Sequence, residues 1–288
     1  MNKLTDISYI KRLLSDAGFT FSKQLGQNFL TDPSVCPKMA ELCGCDGIGV
    51  IEIGPGVGVL TRELSKRAAK VVSIELDERL RPILAETLSD CENTTVIFGD
   101  AMKIDLHRLI RENFGDMPVV LCANLPYYIT SPIIMYLLEN RVPLEKVTVM
   151  VQYEAAKRLC AECGTRECGA VTVAVRAYSE PKLLFKVMRG SFMPPPNVDS
   201  AVIRLDIKPE PDIGDCTPKI FSKTVRAAFS QRRKQLCNSL SSGLGISKPQ
   251  AAELIESCGF KPTVRAEQLT LSDYKALSGK VAMLSEDK

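Results

Sequence analysis

Asn124, Pro126 and Tyr127 are residue types suited to holding a flat, nitrogen-bearing ring. They stand in the stretch Ala123-Asn124-Leu125-Pro126-Tyr127-Tyr128, directly after the apolar run Pro118-Val119-Val120-Leu121-Cys122. That run has the length and β-branched content of a buried strand. A polar amide, a proline and aromatics at its end are poor choices for a core. Asn124 offers an acceptor and two donors, and Tyr127 offers a π-face. Pro126 fixes φ and has no N–H, so neighbouring carbonyls can face a ligand. An ordinary turn between strand and helix also uses Asn and Pro, so the stretch needs support from elsewhere in the chain.

Three earlier strand ends supply it. Val50-Ile51-Glu52-Ile53 runs into Gly54-Pro55-Gly56-Val57-Gly58, and Leu60 and Leu64 mark a helix beyond. Glycines at such a junction let the backbone approach a ligand at a helix N-terminus. The G-x-G-x-x-G dinucleotide fingerprint would need glycine at 59, where Val59 stands, and there is no P-loop motif. The second strand, Val71–Ile74, ends in Glu75, a carboxylate placed to accept from both hydroxyls of a ribose. The third, Thr95–Phe98, ends in Gly99-Asp100-Ala101, and Asp100 can accept from an exocyclic amine. Each acid alone reads as a helix cap or a solvated loop residue. Gly, Glu, Asp and Asn at four successive strand ends face one crevice if the sheet is open and parallel.

The elements around these ends predict one large α/β domain followed by a smaller one. The chain has 288 residues, 45% of them hydrophobic and 25% charged, as in ordinary globular proteins. No apolar run approaches the roughly 18 residues of a membrane span, and the N-terminus does not resemble a signal peptide. Eleven cysteines without such a signal predict reduced thiols in a cytoplasmic protein. Apolar spacing at Ile7, Ile10, Leu13 and Leu14 predicts a first helix. Lys23 to Leu30 reads either as a polar linker or as a flap over a ligand. Further strands are expected at Lys146–Val151, Ala170–Ala177 and Ala201–Ile207. Three prolines stiffen the loop that follows Phe192. Pro209–Gly214 reads as the linker, and helices are expected near 217–230, 232–242, 248–258 and 272–283.

Net charge is +3 and uneven. From Asp215 to Lys288 the chain carries 12 Lys and Arg against 7 Asp and Glu. Such a basic tail suggests a polyanionic partner, although a solvated helix face would look similar. Cys160, Cys163 and Cys168 resemble half of a zinc site without its second pair, so free thiols and no metal are expected. His107, the one histidine, reads as a surface residue.

Taken together, these stretches resemble the kasugamycin-sensitivity family of bacterial 16S ribosomal RNA adenine dimethyltransferases. The matches are Gly26-Gln27-Asn28-Phe29-Leu30, Glu52-Ile53-Gly54-Pro55-Gly56, Ile74-Glu75-Leu76-Asp77, Gly99-Asp100-Ala101-Met102 and Asn124-Leu125-Pro126-Tyr127. They continue with Phe192, with Pro194 to Val202, and with Arg232-Arg233-Lys234. The resemblance implies a Rossmann-like S-adenosylmethionine-dependent methyltransferase sheet over residues 1–208 with its N-terminal flap. It also implies a small C-terminal helical, RNA-binding domain over 215–288. By the same resemblance Asn28, Leu30, Gly54, Glu75, Asp100 and Asn124 contact S-adenosylmethionine. Asn124 and Tyr127 contact the target adenine, Phe192 stacks on it, and Arg232, Arg233 and Lys234 bind RNA. The implied partner is 16S rRNA in the small subunit, met by a monomer without a membrane.

Two other readings stay open. One is a ribosome-assembly or nucleic-acid-binding factor whose catalysis is secondary, which decay of Glu75, Asp100 or Asn124 would favour; all three are intact. The other is a 23S rRNA adenine methyltransferase of the erythromycin-resistance type, which usually has isoleucine where Leu125 stands. The loop from Cys163 to Gly169 departs from the family pattern, with thiols where that pattern is usually Pro- and Tyr-like.

Overall fold

The computed structural model describes residues 3–19, 28–231 and 233–286. The first elements are α1 (Ile7–Asp16), β1 (Phe29–Leu30), α2 (Val35–Leu42), β2 (Gly49–Ile53), α3 (Val59–Ser65) and β3 (Lys70–Glu75). Then come α4 (Arg81–Thr87), β4 (Thr94–Phe98), α5 (Leu106–Phe114), β5 (Val119–Asn124), α6 (Thr130–Glu139) and β6 (Lys146–Gln152). They are followed by α7 (Tyr153–Leu159), α8 (Ala170–Tyr178), β7 (Ser179–Val187), β8 (Phe192–Met193) and β9 (Ser200–Ile207). The chain closes with α9 (Pro218–Phe229), α10 (Leu236–Leu244), α11 (Lys248–Glu256) and α12 (Leu271–Glu286).

Local chemistry accounts for many of these boundaries. Asp6 starts α1 by accepting the Ser8 and Tyr9 amides at 2.8 and 3.0 Å, so two otherwise orphaned N–H groups are satisfied. Ile10, Leu13 and Leu14 then bury one stripe of that helix. Gly58, at φ 87°, opens α3, a conformation that suits glycine. All five residues of β2 are buried, as expected for a strand covered on both faces.

Seven strands form one sheet in the order β4-β3-β2-β5-β6-β9-β7. β4, β3, β2, β5 and β6 run parallel, and β9 pairs antiparallel with β6. The order reverses between β2 and β5. In open α/β sheets that reversal leaves a crevice beyond the carboxyl ends of the strands.

Two compact units result. The first holds Met1–Tyr136, Arg141–Ala156 and Lys182–Ile207; the second holds Leu137–Asn140, Lys157–Pro181 and Lys208–Lys288. Within the second unit α9 packs on α10 and α12, with the Phe229 and Tyr274 rings stacked at 6.0 Å between centroids. Tyr274 is fully buried and its hydroxyl donates to the Ala266 carbonyl at 2.7 Å.

One expected strand is a helix. Ala170–Ala177 lies within α8, and the strand is the following Ser179–Val187. The run alternates Val171, Val173 and Val175 with Thr172, Ala174 and Arg176, a strand-like period that the folded context overrides. Here Thr172 decides locally: its hydroxyl accepts the Gly169 amide at 3.0 Å and donates to the Arg158 carbonyl at 2.8 Å. The expected 232–242 helix begins later, at Leu236, after a turn. The stretch expected as a linker is strapped down. Asp212 N donates to Ala177 O at 2.7 Å, Lys275 pairs with Asp212 at 2.6 Å, and Ile213 is buried.

Candidate active site

A cavity of about 260 Å³ opens at the carboxyl ends of β2, β3, β4 and β5. Gly54, Glu75, Asp100 and Asn124 line it, joined by Asn28, Leu30, Tyr127 and Phe192. These eight residues, singled out in the sequence, therefore meet at one site. Residues 23–27 of the flap stretch lie outside the described residues, as does Arg232. Arg233 and Lys234 are exposed in the turn after α9, in the second unit. His107 is exposed near the start of α5.

Gly54 and Gly56 adopt φ of 74° and 60°, left-handed conformations that disfavour side chains. The turn they make brings the Gly56 N–H to Glu75 Oε2 at 3.2 Å, while Asp77 N donates to Oε1 at 2.8 Å. Burial raises the Glu75 pKa, and the two backbone donors act against that rise. Each oxygen keeps lone-pair capacity, so the carboxylate can still accept two ribose hydroxyls. Asp100 accepts the Met102 amide at 3.0 Å, and the Lys103 ammonium stands 3.7 Å from it.

The Asn124 side chain, at the end of β5, has no hydrogen-bond partner among the described residues. Its acceptor and donors are thus uncommitted beside the cavity. Tyr127 is half-buried, with its hydroxyl 2.7 Å from Ser200 Oγ, and burial raises its pKa.

Leu30 and the aromatic Phe192 are strand partners. β1 and β8 form a two-stranded ribbon that pairs Phe29 with Met193 and Leu30 with Phe192. Thr31 N donates to Ser191 O at 2.8 Å, and the Ser191 hydroxyl donates to Asp32 Oδ2 at 3.1 Å.

Sequence reasoning missed several parts of the wall. Leu76, about half exposed, lines the cavity with Ile74, Ala101 and Met102, an apolar slot fit for a purine face. The signal was its position directly after Glu75. Glu52 also lines the cavity and is 1% exposed. Its Oε2 accepts from Thr61 and Ser73, each at 2.7 Å, and desolvation pushes its pKa up to about 7. Nothing in the strand pattern distinguishes it from a core position except its charge.

The cysteine-bearing loop holds Cys168 buried, and the neighbouring Cys168 thiol together with burial raises the pKa of Cys163. Among the described residues, no group of three or more His, Cys, Asp or Glu side chains is placed to hold a metal ion. No described helix is long and apolar enough to cross a membrane.

A glycine turn, a buried acid with lone pairs to spare, an apolar slot and a second acid at the next strand end are parts that suit a nucleoside. On this sheet they define a Rossmann-like S-adenosylmethionine-dependent methyltransferase. The family model for ribosomal RNA adenine dimethylases matches residues 18–277, and the chain belongs to that family. It is 44% identical over 273 residues to a ribosomal RNA small subunit methyltransferase A of Geobacillus thermodenitrificans, covering 93% of each chain. Among solved structures, a dimethyladenosine transferase from Plasmodium falciparum superposes with a TM-score of 0.70 at 25% identity. That match covers 86% of this chain and 95% of the other. The 23S rRNA methyltransferase ErmE superposes with a TM-score of 0.65 at 27% identity, covering 88% and 99%.

Proposed function

We propose that this protein transfers methyl groups from S-adenosylmethionine to N6 of two adjacent adenines near the 3′ end of 16S rRNA. The product is N6,N6-dimethyladenosine, formed during small-subunit maturation. The observation that carries the reading is the Asn124 amide, uncommitted among the described residues, lining the cavity at the strand ends, in a member of an rRNA adenine dimethylase family.

When bound, the cofactor supplies an electrophilic methyl group on a sulfonium. Glu75 would accept the ribose hydroxyls and Asp100 the adenine amine, while Asn28, Leu30 and Gly54 close around the remainder. The target adenine has a neutral N6 whose lone pair is delocalised into the ring. Asn124, with a nearby main-chain carbonyl, would accept both N–H groups and turn that lone pair toward the methyl. Orientation of this kind supplies about 7–11 kcal/mol. The amide acceptor also stabilises the positive charge that develops on N6. Tyr127 and Phe192 would sandwich the flipped base, each stack contributing about 1–3 kcal/mol. Residues 215–288 would bind rRNA phosphates through Arg232, Arg233 and Lys234.

The likeness to ErmE favours a second reading, methylation of an adenine in 23S rRNA. Incubation with labelled S-adenosylmethionine and unmethylated small or large subunits, followed by mapping of modified bases, separates the readings. Label in two neighbouring small-subunit adenines supports the proposal. Label confined to 23S rRNA supports the second reading, and no label points to a binding factor.

A further inference from the structure

Ser200 opens β9 on a fully buried stretch, followed by the equally buried Ala201 and Val202. Its backbone pairs with Gln152 of β6, so its position is set by the sheet. A buried hydroxyl is unfavourable unless hydrogen-bonded, and alanine would fill such a position without that need. Among the described residues the Ser200 side chain has one hydrogen-bond partner, the Tyr127 hydroxyl at 2.7 Å.

Seen from Tyr127, this bond is the far anchor of a ring that lines the cavity. The near anchor is the backbone, where Tyr127 begins a short 3-10 turn directly after Pro126. An aromatic side chain held only at its backbone swings about two torsions. Fixing the hydroxyl on a sheet strand removes that freedom before any ligand arrives. Ser200 itself does not line the cavity, so it acts on a ligand only through Tyr127.

We propose that Ser200 is a positioning residue for adenine methylation, holding the Tyr127 ring in the orientation that receives the target base. This rests on the function proposed above. The hydroxyl pair pre-organises the stacking wall, so base capture does not have to order the ring. No covalent or proton-transfer step is assigned to Ser200.

The test compares Ser200→Ala, Tyr127→Phe and the double variant in methylation of unmethylated small subunits at saturating S-adenosylmethionine. Each single variant is expected to lose about three- to tenfold in kcat, the scale of one hydrogen bond. The double variant should be no slower than the slower single, because both changes remove the same bond. S-adenosylmethionine affinity should stay unchanged, and Ser200→Thr, which keeps a hydroxyl, should recover most of the rate. A normal rate in either single variant, or losses that multiply in the double, would overturn the proposal. Should Ser200→Ala unfold, Tyr127→Phe decides, since it keeps the ring and removes the same bond. Absence of methyl transfer by the unsubstituted protein would remove the underlying function and this proposal with it. A normal rate in the variants removes only the role of Ser200.

Discussion

Gly56 and Glu75 are joined between neighbouring strand ends: the glycine N–H donates to the carboxylate Oε2 at 3.2 Å. The glycine loop and the acid proposed to accept the ribose hydroxyls therefore hold each other in place. Replacing Glu75 by Ala is expected to weaken S-adenosylmethionine binding by about 1–3 kcal/mol, through loss of a charged acceptor. Calorimetry on the folded variant checks this, and unchanged affinity would remove the ribose assignment.

Asn124→Ala should cut the methylation rate by about 10²- to 10³-fold, as for loss of one aimed electrostatic group. RNA affinity should hardly change, since phosphate contacts dominate it. The rate is to be measured at saturating S-adenosylmethionine. Recovery under saturation would reduce Asn124 to a cofactor ligand.

Glu52 gives the fold a pH dependence of its own. Its carboxyl ordinarily titrates near 4.5 and is pushed up to about 7 by burial. With the folded value above the unfolded one, its contribution is fully present below about pH 4.5 and lost as pH rises to about 7. Glu52→Gln keeps an oxygen for Thr61 and Ser73 but cannot ionise. Its Tm relative to the parent should climb between about pH 5 and about pH 8. A constant difference in Tm across that range would show that Glu52 does not titrate there.

Neutralising Arg232, Arg233 and Lys234 together should flatten the slope of log K for rRNA against log salt by up to about 2 units, at about 0.7 per phosphate contact. An unaltered slope would assign the run to a solvated surface.

Gly243 sets the approach of α10 to α9. A Cβ there would lie 2.6 Å from both Cα and Cβ of Ala227, too close for any side chain to relieve. Gly243→Ala should destabilise the protein by about 1–3 kcal/mol, the range of overpacking. Denaturant unfolding measures it.

The strand-end residues were legible because parallel strands carry ligand-facing groups just past their last buried position. Gly54, Glu75, Asp100 and Asn124 each follow an apolar run, and the sheet gathers all four. Ala170–Ala177 was not legible as a helix, since Val171, Val173 and Val175 alternate with Thr172, Ala174 and Arg176 as in a strand. The pairing of Leu30 with Phe192 was equally hidden. Two residues per strand carry no alternation, and the partners are far apart in the chain. Ser200 escaped notice because its hydroxyl acquires meaning only when β9 is laid beside the turn bearing Tyr127.

The ribbon of β1 and β8 makes two binding events share one piece of backbone. Leu30 faces the cofactor side of the site in the proposed function and Phe192 the base side, yet neither can shift without straining the other's ladder. Whatever ordering energy a cofactor supplied to residues 29–31 would also reach Phe192, the wall proposed to stack on the adenine. By linkage, the adenine returns the same free energy to the cofactor. Two methyl groups on one nitrogen need two cofactor molecules, so the spent one must leave in between. In the proposed function each departure would withdraw that ordering from the ribbon, and with it support for the base. On that reading the number of methyl groups added per RNA encounter would then depend on a contest between cofactor exchange and base escape.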